Sequence, residues 1–210
     1  MISHRLRGLY AITDAASRTS AEQFSLCEAV LQGGAKVLQY RDKTSDTQQC
    51  EENAARLATL CQHYGAAFII NDDVDLAIQV GADGVHLGRD DTDILAARKR
   101  LGSGYLIGIS CYNTLERAQE AASAGADYIA FGSFFSSPTK PHAVRAQPRI
   151  LTEARSRFSI PLVAIGGITP ENGASLIQAG ADMLAVISGL FAQRDPRAAA
   201  TRYARLFASD

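Results

Sequence analysis

Along this chain, stretches with helical spacing alternate with short runs that are almost wholly apolar. Ala118, Ala121 and Ala122 fall on one face of a helix, as do Leu76, Ala77 and Val80. Stretches of this kind run into a repeated phrase: Gly34-Ala35-Lys36, Gly81-Ala82-Asp83, Gly125-Ala126-Asp127 and Gly180-Ala181-Asp182. In each phrase the glycine supplies the left-handed residue that ends a helix. The runs that follow are Val37-Leu38-Gln39-Tyr40, Gly84-Val85-His86-Leu87, Tyr128-Ile129-Ala130-Phe131 and Met183-Leu184-Ala185-Val186-Ile187. They are rich in β-branched and aromatic residues, as strands buried on both faces are. Gly8–Thr13, Ala67–Asn71, Tyr105–Ser110 and Pro161–Ile165 read as four more strands.

Spread over eight such units, 210 residues leave about 26 each, close to the shortest strand–helix unit that makes a crossover. Right-handed crossovers then build an open doubly wound sheet or a closed barrel. Most of these strands end in a polar residue, which favours a (β/α)8 TIM barrel, because an open sheet gathers its chemistry at one switch point. No Pro/Gly/Ser-rich linker interrupts the chain, so residues 1–210 read as a single α/β domain.

Composition narrows the partners. With 47% hydrophobic and 20% charged residues, the chain is an ordinary globular one. Lys+Arg number 21 against 22 Asp+Glu, Trp is absent and aromatics are 7%, so neither a phosphate-gripping surface nor a base-stacking one for nucleic acid is expected. No apolar run reaches the ~18 residues of a membrane span, and Met1–Tyr10 holds no signal-peptide core. The gaps between Cys27, Cys50, Cys61 and Cys111 match no zinc or disulfide framework, so a reducing, cytoplasmic setting is expected. Arg98-Lys99-Arg100, the densest basic run, reads as a solvated helix end. A homo-oligomer is compatible with the sequence, which does not decide the point.

A barrel draws its chemistry from the C-terminal ends of its strands. Those ends carry Thr13-Asp14, Gln39 to Lys43, Asn71-Asp72-Asp73, Gly88 to Asp91, Ser110, Ser133 with the loop Ser136 to Lys140, Gly166-Gly167 and Ser188-Gly189. Gly166-Gly167 and Ile187-Ser188-Gly189, the latter opening a short extra helix, suit a phosphate held on backbone N–H groups; a tight corner alone would also explain the glycines. Strand alternation would put Arg41 and Lys43 on one side and Asp42 on the other, two cations for a dense anion; an exposed edge is the plainer alternative. Asp72 and Asp91 end adjacent strands, and paired carboxylates without His or Cys suit Mg2+. Asp73, Asp75, Asp90 and Asp93 read equally well as helix caps or first-turn residues. His86 reads as a core or hydrogen-bonded structural residue, and no nucleophile motif is present. A barrel binding two phosphorylated groups, one of them a metal-bound polyphosphate, points to a transferase that releases pyrophosphate.

The same residues resemble the thiamine phosphate synthase family. The matching stretches are Gly8 to Asp14, Leu38 to Lys43, Ile70-Asn71-Asp72, Gly81 to Gly88, Gly108-Ile109-Ser110, Ser137-Pro138-Thr139-Lys140 and Ala164 to Ile168. The resemblance implies Mg2+-dependent transfer of a 4-amino-2-methyl-5-hydroxymethylpyrimidine group from its diphosphate to the ring nitrogen of a thiazole phosphate. It also implies that the C–O bond ionises before the new bond forms. Gln39, Arg41, Lys43, Asn71, Ser110 and Lys140 would hold the pyrimidine diphosphate, Arg41, Lys43, Ser110 and Lys140 with catalytic roles. Asp72 and Asp91 would bind Mg2+. Ser137, Thr139, Gly167, Ile187 and Ser188 would hold the thiazole phosphate, and Tyr40, Asp42 and Pro138 belong to the substrate-contacting motifs. Arg89, Asn113 and Ser136 depart from the commoner family pattern. The rivals are a thiazole tautomerase of the same superfamily and a non-catalytic phosphate-binding barrel; the first relies on a His after strand 5, where Tyr112-Asn113-Thr114 stands here.

Overall fold

The computed structural model describes residues 6–14, 18–89, 91, 93–136 and 144–208. Eight parallel strands close into one barrel in chain order: β1 (Gly8–Ile12), β2 (Val37–Tyr40), β3 (Ala67–Asn71), β4 (Gly84–Leu87), β5 (Leu106–Tyr112), β6 (Tyr128–Phe131), β7 (Leu162–Ile165) and β8 (Met183–Val186). The helices between them are α1 (Ser20–Gln32), α2 (Thr47–Tyr64), α3 (Val74–Gln79), α4 (Ile94–Leu101), α5 (Leu115–Ser123), α6 (Arg149–Arg157) and α7 (Pro170–Gln178). After β8 come the single turn α8 (Ser188–Phe191) and the closing helix α9 (Pro196–Arg205). The expected barrel and the extra turn after the last strand are both present. None of the described helices is long and apolar enough to cross a membrane.

Alternation along each strand divides the core in two. Leu9, Ala11, Leu38, Phe68, Ile70, Val85 and Ile107 face outward and pack with the helices. Tyr10, Ile12, Val37, Ile69, Leu106, Tyr128, Val163 and Met183 fill the barrel itself. The interior is narrow, and glycine makes room in it. A Cβ on Gly108 would stand 1.9 Å from Cζ of Tyr128, and one on Gly84 would stand 2.1 Å from the Leu106 carbonyl oxygen.

Physical reasons for the repeated phrase are visible at the N-terminal ends of the strands. Gly34, Gly81, Gly125 and Gly180 all adopt positive φ after their helices, where a Cβ would be strained. The aspartate that follows closes a ring with the strand before it. Asp182 donates its N–H to the Leu162 carbonyl and accepts the Leu162 N–H on its carboxylate, each at 2.8 Å. Asp83 does the same with Phe68, and Asp127 with Ile107. Lys36, in the fourth phrase, keeps only the backbone half, donating to Leu9 O at 2.9 Å.

Three expectations change. β5 runs two residues past Ser110, through a register shift between Ser110 and Tyr112, so Cys111 lies buried within the strand. β2 stops at Tyr40, so Arg41 and Lys43 sit on a loop and strand alternation does not govern them. Arg98 is not a solvated helix end: it binds the carbonyls of Gly102, Tyr105 and Gly125 and the carboxylate of Asp127. Arg155 does the equivalent for Asp182. Replacing Asp182 by Ala removes a charge-assisted bond to a strand N–H and leaves Arg155 with carbonyl partners alone. The expected loss is about 2 kcal/mol, read by urea denaturation with an unchanged m-value.

Candidate active site

A cavity of about 450 Å³ opens at the C-terminal ends of the strands, walled by residues from every strand. β1 contributes Tyr10, β3 Asn71, β4 His86 and β5 Ser110, while Gln39 and Arg41 come from β2 and the loop behind it. A smaller recess of about 40 Å³, formed by Gly166, Gly167, Ile187, Ser188 and Gly189, adjoins it. The two share Ile165, Gly166, Ala185 and Ile187, so both open on one rim of the barrel.

On the β2–β4 side the local geometry is polar and charged. Thr13 fixes the start of the loop by accepting the Arg41 N–H at 2.8 Å and donating to the Arg41 carbonyl at 3.1 Å. Arg41 then lines the cavity. Lys43 Nζ stands 3.3 Å from Asp72 Oδ2. Asp72 has φ +65°, a left-handed conformation that Asp tolerates better than most residues, and its N–H donates to His86 O at 2.9 Å. Asp91 accepts the Gly88 N–H on Oδ2 at 2.5 Å. Burial pushes the Asp72 carboxyl above the ordinary carboxylate range, the facing Asp91 carboxylate pushes it further, and Lys43 pulls it back only in part. Two such oxygens, half-shielded from water, form a donor set that a hard divalent cation would relieve.

Opposite them, the recess is built from backbone. Gly167 has φ +61°, and a Cβ there would stand 2.3 Å from Ser136 O. Gly166 has φ +105°, and its Cβ would meet the Ser133 hydroxyl at 2.0 Å. Both glycines are thus required by the crossing of the loop after β6 as well as by any anion. Arg18 ties the loop after β1 to this recess, donating to the carbonyls of Phe191 and Asp14.

The structure brings Gln39, Arg41, Asn71 and Ser110 into the cavity wall and Gly167, Ile187 and Ser188 into the recess. Lys43, Asp72 and Asp91 line neither space, and two others are directed elsewhere. Tyr40 is buried in the layer between strands and helices. Asp42 closes a turn, accepting from Thr44 and Ser45. Ser137, Pro138, Thr139, Lys140 and Asp90 lie outside the described residues. Asp73 and Asp93 cap α3 and α4, and Asp75 pairs with Arg100. Sequence reasoning placed Arg89 on the rim without a role and passed over Tyr10, Tyr128 and Tyr112 as site residues. Arg89 stacks 4.9 Å over the Tyr112 ring, and Arg117 binds the carbonyls of Ser110 and Gly88 behind it. Tyr10 was findable, since Gly8, Tyr10 and Ile12 share a parity on β1; Tyr112 had no such signal.

The family model for thiamine monophosphate synthase matches residues 9–190. The chain is 53% identical over 203 residues to a thiamine-phosphate synthase from Thioalkalivibrio sulfidiphilus, covering 97% of this chain and 96% of that one. It is 50% identical over 208 residues to one from Nitrosococcus oceani, covering 99% and 96%. Among solved structures, a thiamine phosphate pyrophosphorylase from Pyrococcus furiosus superposes with a TM-score of 0.88 at 34% identity, covering 99% and 98%. A 3-hexulose-6-phosphate synthase, at 17% identity, 95% and 99% coverage and a TM-score of 0.71, shares the fold alone.

The raised carboxyl of Asp72 has a consequence for stability. A group that holds its proton more tightly when folded stabilises the fold below its ordinary titration range, and that contribution is lost as pH rises through the raised value. At neutral pH the facing carboxylates are then a net cost, because the Lys43 pair is largely solvated and worth little. Asp72→Asn keeps the left-handed conformation accessible and should raise the Tm of the metal-free protein by a few degrees at neutral pH. Thermal scans at decreasing pH should show the gain vanish below the ordinary carboxylate range.

Proposed function

The chain belongs to the thiamine monophosphate synthase family, and on that premise we propose that it is a Mg2+-dependent thiamine phosphate synthase. It joins hydroxymethylpyrimidine diphosphate to a thiazole phosphate and releases pyrophosphate. The observation that carries this reading is the pairing, on one rim, of a cationic and dicarboxylate side with a glycine-lined recess. Each side suits a different phosphorylated group, and the cavity that Arg41 lines adjoins the glycine-lined recess. A cytoplasmic site of action belongs to the same reading, supported by four cysteines that are all unpaired.

Gln39, Asn71 and Ser110 hold the pyrimidine ring, and Arg41 and Lys43 hold its diphosphate. As the C–O bond lengthens, negative charge grows on the leaving group, and fixed cations favour that charge more than the ground state. Lys140 supplies a further positive charge in the same role. When bound by Asp72 and Asp91, Mg2+ supplies additional positive charge to the diphosphate oxygens. The recess formed by Gly167, Ile187 and Ser188 orients the thiazole so that its ring nitrogen faces the pyrimidine methylene, and the family resemblance gives Ser137 and Thr139 the same thiazole phosphate to bind. No general base is needed, because the attacking nitrogen carries a lone pair and no proton.

Incubation with both phosphorylated substrates and Mg2+ should yield thiamine phosphate and pyrophosphate in equal amounts. Isomerisation of the thiazole alone would replace this reading with a tautomerase, and binding without turnover would replace it with a non-catalytic barrel. Arg41→Ala should raise KM for the pyrimidine diphosphate, and Ser188→Ala should raise KM for the thiazole phosphate, each about tenfold; the opposite split would reverse the two half-sites. Lys140→Ala should lower kcat by about a hundredfold. MgCl2 should raise the Tm of the unaltered protein and leave that of Asp72→Asn nearly unchanged.

A further inference from the structure

Across the floor of the cavity, five polar side chains form a chain through the barrel interior, and all but Tyr128 also line the cavity. Gln39 Nε2 donates to the Tyr10 hydroxyl at 2.8 Å, and that hydroxyl lies 2.8 Å from the hydroxyl of Tyr128. Tyr128 lies 3.2 Å from Nδ1 of His86, and Nε2 of His86 lies 2.9 Å from the Ser110 hydroxyl. The rings are fixed as well: Tyr10 meets Tyr128 edge-on, and His86 stacks on Tyr128 with centroids 5.6 Å apart. Gly108 leaves the space the Tyr128 ring occupies.

Counting hydrogens gives the chain a direction. An amide nitrogen can only donate, so the Tyr10 oxygen accepts from Gln39; a buried hydroxyl hydrogen needs its own acceptor, and the Tyr128 oxygen is the one within reach of Tyr10. Tyr128 in turn passes its hydrogen to Nδ1 of His86, which must be the bare ring nitrogen. The imidazole hydrogen therefore sits on Nε2 and points at Ser110. Accepting there, Ser110 keeps its hydroxyl hydrogen for another acceptor, and the Gln39 amide oxygen is left for a donor. Both end residues line the cavity. Burial holds both phenols far above their ordinary range, so neither link loses its hydrogen. Two phenylalanines would fill the same volume without buried polar atoms to satisfy, so packing alone does not account for the hydroxyls.

We propose that Tyr10, Tyr128 and His86 are positioning residues that set the hydrogen-bond polarity of the cavity wall, a donor at Ser110 and an acceptor at Gln39. Such a wall takes a flat heterocycle that carries an amino group beside an unprotonated ring nitrogen. It disfavours the oxo counterpart, in which carbonyl and ring N–H exchange donor for acceptor. The identity of that heterocycle rests on the function proposed above; the polarity does not.

The polarity is read directly by 15N NMR of the His86 imidazole in the full-length, ligand-free protein. The expected signature is a hydrogen on Nε2 and a bare Nδ1, and the reverse tautomer would overturn the proposal. Tyr128→Phe should release that tautomer preference. It should also lower the kcat/KM ratio of the aminopyrimidine diphosphate to its oxo analogue by about tenfold, with KM for the thiazole phosphate unchanged. A drop of the same size for both pyrimidines would mean packing alone and would overturn the proposal. Should Tyr128→Phe fail to fold, Tyr10→Phe takes its place: it should keep hydrogen on Nε2 while discrimination falls through the freed Gln39 amide. A hydrogen on Nδ1 in that variant, or unchanged discrimination, would overturn the proposal. The expected tautomer in a protein without turnover would support the polarity and remove the functional reading instead.

Discussion

Room inside a closed eight-stranded sheet is the constraint to which the rest of this molecule answers. Side chains from all eight strands point into one narrow space, and they cannot all be large. Gly84 and Gly108 therefore stand where Leu106 and the Tyr128 ring must lie. Once Tyr128 lies over β5, its hydroxyl is carried to Tyr10 on one side and His86 on the other. The shape of the cavity and the placement of its polar wall thus both descend from a decision about volume.

Charge is handled at the rim by the same economy. Asp72 and Asp91 are brought face to face without enough positive charge to balance them, since Lys43 is more than half exposed. That arrangement is a net cost, which a cation placed between them would relieve. At the other end of the barrel, aspartates do the reverse. Asp83, Asp127 and Asp182 each spend their carboxylate on a strand N–H, and Arg98 and Arg155 neutralise two of them. One residue type thus stabilises the lower face and strains the upper one, and only its surroundings differ.

The sequence made the scaffold legible because each Gly-Ala-Asp phrase solves a local problem completely. A positive φ ends the helix, and a carboxylate fixes the next strand's register. The rim was less legible, for reasons that are equally local. Alternation predicts side-chain direction only while a strand lasts, and β2 ends at Tyr40. The next residues obey a turn closed by Asp42 instead. Ser110 looked like a strand end because a register shift lets β5 continue to Tyr112. His86 was read as a hydrogen-bonded structural residue, which it is, but its partners are distant in the chain, 24 and 42 residues away. No window along the sequence could have joined it to Ser110 and Tyr128.

The seam of the barrel carries one more implication. β1 pairs with β8 through Gly8↔Met183 to Ala11↔Val186, and Gly33, just beyond α1, fits so closely to α9 that a Cβ would stand 2.5 Å from Ala200 Cβ. Pairing of β1 is therefore complete only once β8, which follows it by 170 residues, is in place. Until α9 has left the ribosome, β1 presents an unpaired edge of the sort that recruits strands from other chains. The pace of translation between β1 and α9 then governs how long each nascent molecule remains open to its neighbours.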